Sequence, residues 1–227
     1  VVTATIAAGT AKALNDALTD STLPVGGNAL KLTVTGTTAN ASDLNGLNGK
    51  TSVDVDATAV KTVTGDSADI ASLYNGTGVG GLGNEAVTVT NSDALVSEIA
   101  SINSDTTGVI NVSSVVTDTI TAPAAFKLTD LGDLAGITGL YNLNTVDGVD
   151  TAITLSIADL LAANDSKKSF DFSIVGESGD TLNFTDVSGW TSNKVVADSQ
   201  YTFTKGTQTI TVNLTGFDTG DVTVLGV

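Results

Sequence analysis

The chain has 227 residues, of which 41% are hydrophobic and 4% aromatic, so a sizeable core is possible but must be built mainly from Val, Ile, Leu and Ala. Its 25 acidic and 9 basic residues give a formal net charge of −16, which makes nucleic acid and anionic membranes poor partners because their phosphates would be repelled. The sequence contains no Cys and no His, which excludes disulfides, thiolate chemistry and the commonest general base, and we expect no enzymatic activity.

Residues 1–29 are predicted to form a strand and a short helix. Residues 1–6 (VVTATI) are rich in β-branched side chains, and residues 7–18 place Leu14 and Leu18 one helical turn apart. A Pro-Val-Gly-Gly run then indicates a turn. No apolar run in the sequence approaches the ~20 residues that a membrane-spanning helix needs, so we expect no membrane insertion.

Residues 30–150 are predicted to form strand–helix repeats. Strands are expected to end near Val34, Val63, Val89, Ile120 and Leu155. Each is followed by polar or small residues and then by a helical patch, at residues 42–47, 67–73, 92–102, 124–134 and 157–163. The order strand, helix, strand favours parallel pairing, and units this small must stack to bury their apolar faces. A solenoid-like array is therefore predicted.

Part of this region repeats in sequence, which strengthens the expectation of stacked units. The first copy is residues 41–65 and the second is residues 96–122. They align Ser42-Asp43-Leu44 with Ser97-Glu98-Ile99, Leu47-Asn48 with Ile102-Asn103, Val53 with Val109, and Val60 with Val116.

Residues 151–227 are predicted to form a separate, compact antiparallel β module that ends the array. Short strands are expected at hairpin spacing, at residues 170–175, 181–184, 194–197, 201–204, 207–214 and 221–225. Most of the phenylalanines and the single tryptophan, Trp190, lie in this region. The predicted fold class is thus mainly β with short helices.

The segments 42–73 and 153–190 resemble repeat regions of very large secreted bacterial surface proteins, namely calcium-stabilised adhesins and RTX-like exoproteins. The resemblance implies an extracellular location at the bacterial cell surface and stabilisation by Ca²⁺. The calcium nonapeptide of RTX proteins occurs at most once, at residues 80–88, where Glu85 stands in place of Asp, and residues 176–184 are one residue too short. A continuous calcium-binding β-roll is therefore not implied.

Asp54 and Asp56 are the first candidate metal ligands. They flank Val55 on a predicted strand, so alternation sends both carboxylates to one face, and Val53 and Val55 to the other. A Ca²⁺ ion would relieve the repulsion between two neighbouring carboxylates. A solvated strand face explains the same pattern. This alternative is favoured because the second copy has Ile110 and Val112, which carry no carboxylate, at the positions equivalent to Asp54 and Asp56.

A second group of candidate ligands, Asp180, Asp186, Asp218 and Asp221, lies in predicted loops near the C-terminus. The Asp-Thr-Gly-Asp run at residues 218–221 has the oxygen-rich, glycine-turned character of calcium loops. Aspartates that simply form turns explain it equally well.

The terminal strands suggest how the chain could assemble. The predicted assembly segment consists of Val1, Val2, Thr3, Ala4, Thr5 and Ile6, and the C-terminal run DVTVLGV is also strand-like. Neither carries the lysines or prolines that usually blunt an exposed sheet edge. We therefore expect the segment to add to the sheet of another copy, or else to pair within its own chain.

These observations predict an extracellular structural or adhesive surface protein that self-assembles as a filament, a surface layer or a tandem array. Other copies of the chain and surface polysaccharide are the expected partners. One alternative is a carbohydrate-binding module in which Trp190 and Tyr201 stack on sugar, although a lone tryptophan is more often part of a core. The other is a secreted carbohydrate-active enzyme with two catalytic carboxylates, which needs no histidine.

Overall fold

The computed structural model describes residues 3–19, 27–112, 115–117, 124–164, 169–196, 199–218 and 220–225. In these ranges the chain is a mixed α/β protein with more residues in strands than in helices. The predicted predominance of strand is confirmed only in this broad sense, because short helices alternate with the strands along much of the chain.

The helices are short, as the sequence predicts. They are α1 (Ala11–Ala17), α2 (Ala41–Asn48), α3 (Ser67–Asn75), α4 (Val96–Asp105) and α5 (Ile157–Ala162), with 3-10 turns at Leu128–Leu131 and Leu134–Gly136.

The strands are also short. They are β1 (Thr3–Thr5), β2 (Ala29–Lys31), β3 (Thr38–Asn40), β4 (Val55–Asp56), β5 (Thr62–Gly65), β6 (Val79–Gly80), β7 (Ala86–Val89), β8 (Ala94–Leu95), β9 (Ile110–Val112), β10 (Val115–Thr117), β11 (Ala124–Lys127), β12 (Ile137–Thr138), β13 (Asn142–Asn144), β14 (Thr151–Ser156), β15 (Ser169–Val175), β16 (Thr181–Thr185), β17 (Thr191–Val196), β18 (Gln200–Lys205), β19 (Gln208–Thr215) and β20 (Val222–Val224).

The chain divides into two compact units. Unit 1 comprises Val1–Asn91 and Ser101–Ile110, and unit 2 comprises Ser92–Ala100 and Asn111–Val227. The predicted organisation into residues 1–29, 30–150 and 151–227 stays a prediction.

Unit 1 contains parallel strands that pair at equal steps along the chain. Thr38 of β3 pairs with Thr62 of β5, and Thr62 pairs with Ala86 of β7. β1 pairs with β2 and β4 with β6, again in parallel. The middle residues Ala39, Val63 and Val87 are buried, because alternation turns them to the same face of the sheet. Residues of equivalent position therefore form the core of successive segments.

Helices follow two of these strands and contribute the rest of the core. α2 begins after Asn40, whose side-chain oxygen accepts a hydrogen bond from the Ser42 N–H at 2.9 Å. Leu44 and Leu47 are fully buried on one face of α2, and Ile70 occupies the corresponding face of α3. The predicted helices at residues 42–47 and 67–73 are confirmed.

Unit 2 contains two larger sheets. The strand order is β17-β18-β19-β15-β13-β10-β8 in the first and β11-β14-β16-β20 in the second. Phe172, Phe184 and Phe203 are fully buried, and the rings of Phe184 and Phe203 lie 4.8 Å apart. This aromatic contact forms part of the core of the unit.

The expectation of an antiparallel C-terminal module is wrong for most of its strands. β15 pairs in parallel with β19, and β16 pairs in parallel with β14 and β20. Consecutive strands from β13 to β16 belong alternately to the two sheets, with β13 and β15 in the first and β14 and β16 in the second. The strands of one sheet therefore run in the same direction. Among the described strands of this region, the antiparallel pairs are β17 with β18 and β18 with β19. β18 and β19 are joined by a tight turn at Gly206, whose φ of 62° suits glycine.

Two predicted helices also differ from the structure. Residues 124–127 form strand β11, and two 3-10 turns replace the rest of the expected helix. Gly132, with φ of 94°, separates these turns and breaks any continuous helix. The helix predicted from residue 92 begins at Val96, after strand β8. The strand end predicted near Ile120 lies outside the described residues.

Candidate functional site

Asp180 is a buried acid of unit 2 whose carboxylate accepts three hydrogen bonds. It is fully buried between β15 and β16. Its Oδ1 accepts a hydrogen bond from the Thr151 N–H at 2.8 Å, and its Oδ2 accepts from Thr145 Oγ1 at 2.9 Å and from the Glu177 N–H at 3.0 Å. Two of these donors, Thr145 and Thr151, lie at the two ends of the connection between β13 and β14, and the third, Glu177, lies in the same turn as Asp180. The carboxylate therefore acts as a structural anchor, since each oxygen already has a protein donor.

The neighbouring turns carry further acidic residues. The side chain of Glu177 accepts a hydrogen bond from the Gly148 N–H at 2.7 Å, and Ser178 Oγ donates to Asp218 Oδ2 at 2.6 Å. Within the last turn, the Asp221 N–H donates to the Asp218 carbonyl oxygen at 3.3 Å. The structure thus brings three predicted ligands, Asp180, Asp218 and Asp221, onto adjacent turns.

Asp186, the fourth predicted ligand of this region, lies apart from them on an exposed turn after β16 with φ of 57°. Its electrostatic neighbour is Asp159 of α5. Partial burial raises the pKa of Asp159 above its usual value, and the negative charge of Asp186 adds to that increase. The charge of Asp186 therefore disfavours the ionised form of Asp159.

In unit 1, Asp54 is exposed and Asp56 is half-buried. Asp56 Oδ1 accepts hydrogen bonds from Thr58 Oγ1 at 2.8 Å and from the Thr58 N–H at 3.2 Å, and these bonds lower the pKa of Asp56. The expectation that Val53 shares a buried face with Val55 is wrong: Val53 is 41% exposed, because β4 begins only at Val55. Asp56 is therefore engaged in a local turn.

Glu85 is an acidic site whose burial the sequence did not indicate. It is fully buried, and its Oε2 accepts hydrogen bonds from the Gly83 N–H at 2.6 Å, the Asn84 N–H at 3.1 Å and Tyr74 Oη at 3.3 Å. Burial raises the pKa of Tyr74, and the Glu85 charge adds to this. Glu85 and Asp180 share a position directly before a strand, but Asp150 has the same position before β14 and is exposed, so this position alone does not identify a buried acid.

The described residues contain no group of three or more acidic side chains placed to hold a metal ion. Calcium binding by Asp54, Asp56, Asp180, Asp186, Asp218 and Asp221 stays a prediction. Tyr201 is buried and is therefore not available to stack on a sugar beside Trp190, and Lys205 Nζ lies 5.8 Å from the centre of the Trp190 ring. Binding of polysaccharide through Trp190 stays a prediction.

The N-terminal segment pairs within its own chain. Thr3 and Ala4 of β1 lie opposite Ala29 and Leu30, and the Ile6 N–H donates to the Lys31 carbonyl oxygen at 3.1 Å. β1 is an edge of the two-stranded sheet that the structure describes. Val1 and Val2 of the predicted assembly segment lie outside the described residues.

In the described parts of the chain, no helix has the length and apolar character needed to cross a bilayer. The chain matches no family model, no curated protein and no solved structure.

Proposed function

We propose that the chain is an extracellular structural or adhesive protein of the bacterial cell surface, and that it self-assembles as a filament, a surface layer or a tandem array. The observation that carries this proposal is the parallel pairing of short strands at equal steps in unit 1. Such pairing supports a solenoid, in which each segment contacts its neighbours along the chain and surface area grows with length.

Side-chain contacts between successive segments support the same architecture. Asn15 Nδ2 donates to Asp43 Oδ1 at 3.1 Å, which links α1 to α2. Asn45 Nδ2 donates to the Asp69 carbonyl oxygen at 2.9 Å, which links α2 to α3. Each segment is thereby bonded to the next through an amide as well as through its strand, as a stacked array requires.

Two strands are proposed as the contact edges for assembly. β1 and β20 lie at edges of their sheets among the described residues, and neither contains Lys or Pro. Since the Ile6 N–H faces β2, alternation directs the Thr5 N–H away from β2. Likewise the Leu225 N–H donates to Phe184, so the Val224 N–H is directed away from β16. Addition of β1 of one copy to β20 of another would continue the parallel order, and this head-to-tail contact does not close.

The extracellular location and a stabilising role for Ca²⁺ belong to the same proposal. The location is supported by the sequence resemblance to large secreted surface proteins. The role of Ca²⁺ is supported by that resemblance and by the net charge of −16, because acidic residues repel one another in a compact chain and bound cations reduce this repulsion.

The test is a comparison of Thr5→Pro with Thr5→Val. Proline removes the outward N–H, whereas valine keeps it and preserves the β-branched shape. Sedimentation and electron microscopy should show large species for the wild type and Thr5→Val, and smaller ones for a folded Thr5→Pro variant. Val224→Pro should have the same effect. A wild-type protein that stays monomeric at every concentration, with and without calcium, would show that the assembly proposal is wrong.

A further inference from the structure

The sequence contains three Asn-Gly pairs, and all of them occur at helices of unit 1. Asn45–Gly46 lies inside α2, Asn48 is the last residue of α2, and Asn75 is the last residue of α3. Each of these asparagines donates its side-chain amide to a later segment of the chain. Glycine after asparagine leaves the backbone nitrogen unhindered, because it has no Cβ.

The acceptors of the two terminal asparagines differ in chemistry. Asn48 Nδ2 donates to the Thr77 carbonyl oxygen at 2.8 Å, an atom that can only accept. Asn75 Nδ2 donates to Ser101 Oγ at 2.9 Å, and a hydroxyl can both accept and donate. The side chain of Asn48 also lies against Gly78, where an added Cβ would overlap Asn48 Oδ1. The side chain of Asn48 is therefore closely packed against the backbone at Gly78.

We propose that Asn48 is a site of spontaneous deamidation that weakens the contact between α2 and the following segment, whereas the same reaction at Asn75 leaves its contact intact. In this reaction the Gly49 nitrogen attacks Cγ of Asn48, its proton is lost, and ammonia leaves to form a cyclic imide. Water then adds to one imide carbonyl and opens the ring to aspartate or isoaspartate. No redox partner is needed, since the reaction consumes only water and releases ammonia.

The fold sets the order of reaction. The Gly76 N–H donates to the Ser72 carbonyl oxygen at 3.0 Å, and the Gly49 N–H donates to the Asn45 carbonyl oxygen at 3.1 Å, so both nitrogens react only when the helix end opens. Asn75 is exposed and Gly76 is already extended, whereas Asn48 is half-buried and Gly49 is helical. We expect Asn75 to react first and Asn48 second.

The site that we expect to react more slowly, Asn48, is the one at which the reaction should destabilise the fold more. A carboxylate at residue 48 loses the donor to Thr77 and places a negative charge beside that carbonyl oxygen, which is unfavourable. Both residues end a helix, so the unfavourable charge at a helix C-terminus is common to the two products and does not distinguish them. A carboxylate at residue 75 can accept a hydrogen bond from Ser101 Oγ, so that contact survives. Deamidation at Asn48 should therefore lower the melting temperature by roughly 2–8 °C, and at Asn75 by much less.

The experiment incubates the full chain at mildly alkaline pH and follows both sites by peptide mass spectrometry, with melting temperatures recorded on the same samples. Gly49→Ala is the matched control, because its φ of −65° suits alanine and the added Cβ would lie 3.5 Å from the nearest atom, an ordinary contact. It should slow the reaction at Asn48 and preserve the melting temperature. Asn48→Asp should melt lower than Asn75→Asp, and Asn48→Ala separates the lost hydrogen bond from the added charge. The proposal is overturned if Asn48 stays amidated after Asn75 has fully reacted, or if Asn48→Asp melts with the wild type.

Discussion

Replacing Asp180 with asparagine tests whether the buried carboxylate anchors the turns of unit 2. In the Asp180→Asn variant an amide nitrogen takes the place of one carboxylate oxygen, and even in the better orientation it would face the Thr151 N–H, so that two donors oppose each other. Hydrogen bonds to charged acceptors contribute about 1.5–3 kcal/mol each, and a buried donor without a partner adds to the loss. We expect Asp180→Asn to lower the free energy of unfolding by about 2–4 kcal/mol.

The assay is thermal and urea unfolding followed by circular dichroism. For a chain of this size, a loss of about 2–4 kcal/mol corresponds to a fall in melting temperature of roughly 4–16 °C. Asp171→Asn is the control, because Asp171 is exposed on β15 and surface substitutions usually change stability by no more than about 0.5 kcal/mol. If both variants melt at the same temperature, the anchoring role of Asp180 is wrong.

Three further predictions concern the other acidic sites. Glu85→Ala should lower the melting temperature much more than Tyr74→Phe, because Glu85→Ala leaves two backbone N–H groups without their acceptor, whereas Tyr74→Phe leaves both of these N–H groups bonded to Glu85; equal effects would contradict this. The pKa of Asp159 is raised in the folded chain, so its ionised form disfavours folding at neutral pH and this penalty disappears as the pH falls below the unfolded pKa. Asp159→Asn should therefore raise the melting temperature at neutral pH and not in acid, and the absence of any gain at neutral pH would count against it. Ca²⁺ should raise the melting temperature relative to chelator at constant ionic strength, and an unchanged midpoint would end the calcium prediction.

Local sequence patterns predicted where the helices and strands lie better than they predicted which strands pair with one another and in which direction. Paired apolar residues such as Leu44 and Leu47 mark a buried helical face, and this signal identified α2, α3 and α5. The same spacing at Leu128 and Leu131 was misleading, since 3-10 turns also bring residues three apart to one side. Strand positions were found from β-branched runs, but alternation reports burial and says nothing about the direction of the partner strand. The parallel order of β14, β16 and β20 could not be read from it.

The candidate sites were predictable to a smaller extent. Composition and turn residues placed acids in loops, but the role of an acid depends on donors supplied from distant positions. Asp180 is held by Thr145 and Thr151, and nothing in the residues around Asp180 indicates them. Asp56, by contrast, is bonded by Thr58 only two residues away, a local turn that the sequence alone could have suggested.

The equal steps of pairing in unit 1 have a consequence for how such a chain can change in length. Removing or duplicating one whole step, from Thr38 to the residue before Thr62, would bring equivalent residues opposite each other again. Gaining or losing a single residue within a strand would instead move its side chains to the opposite face of the sheet. Val63 would then point to solvent, and a polar neighbour would point into the core. Genetic variation in this part of the chain should therefore be tolerated as whole segments and eliminated as single insertions, so that related chains differ in segment number more readily than in segment length.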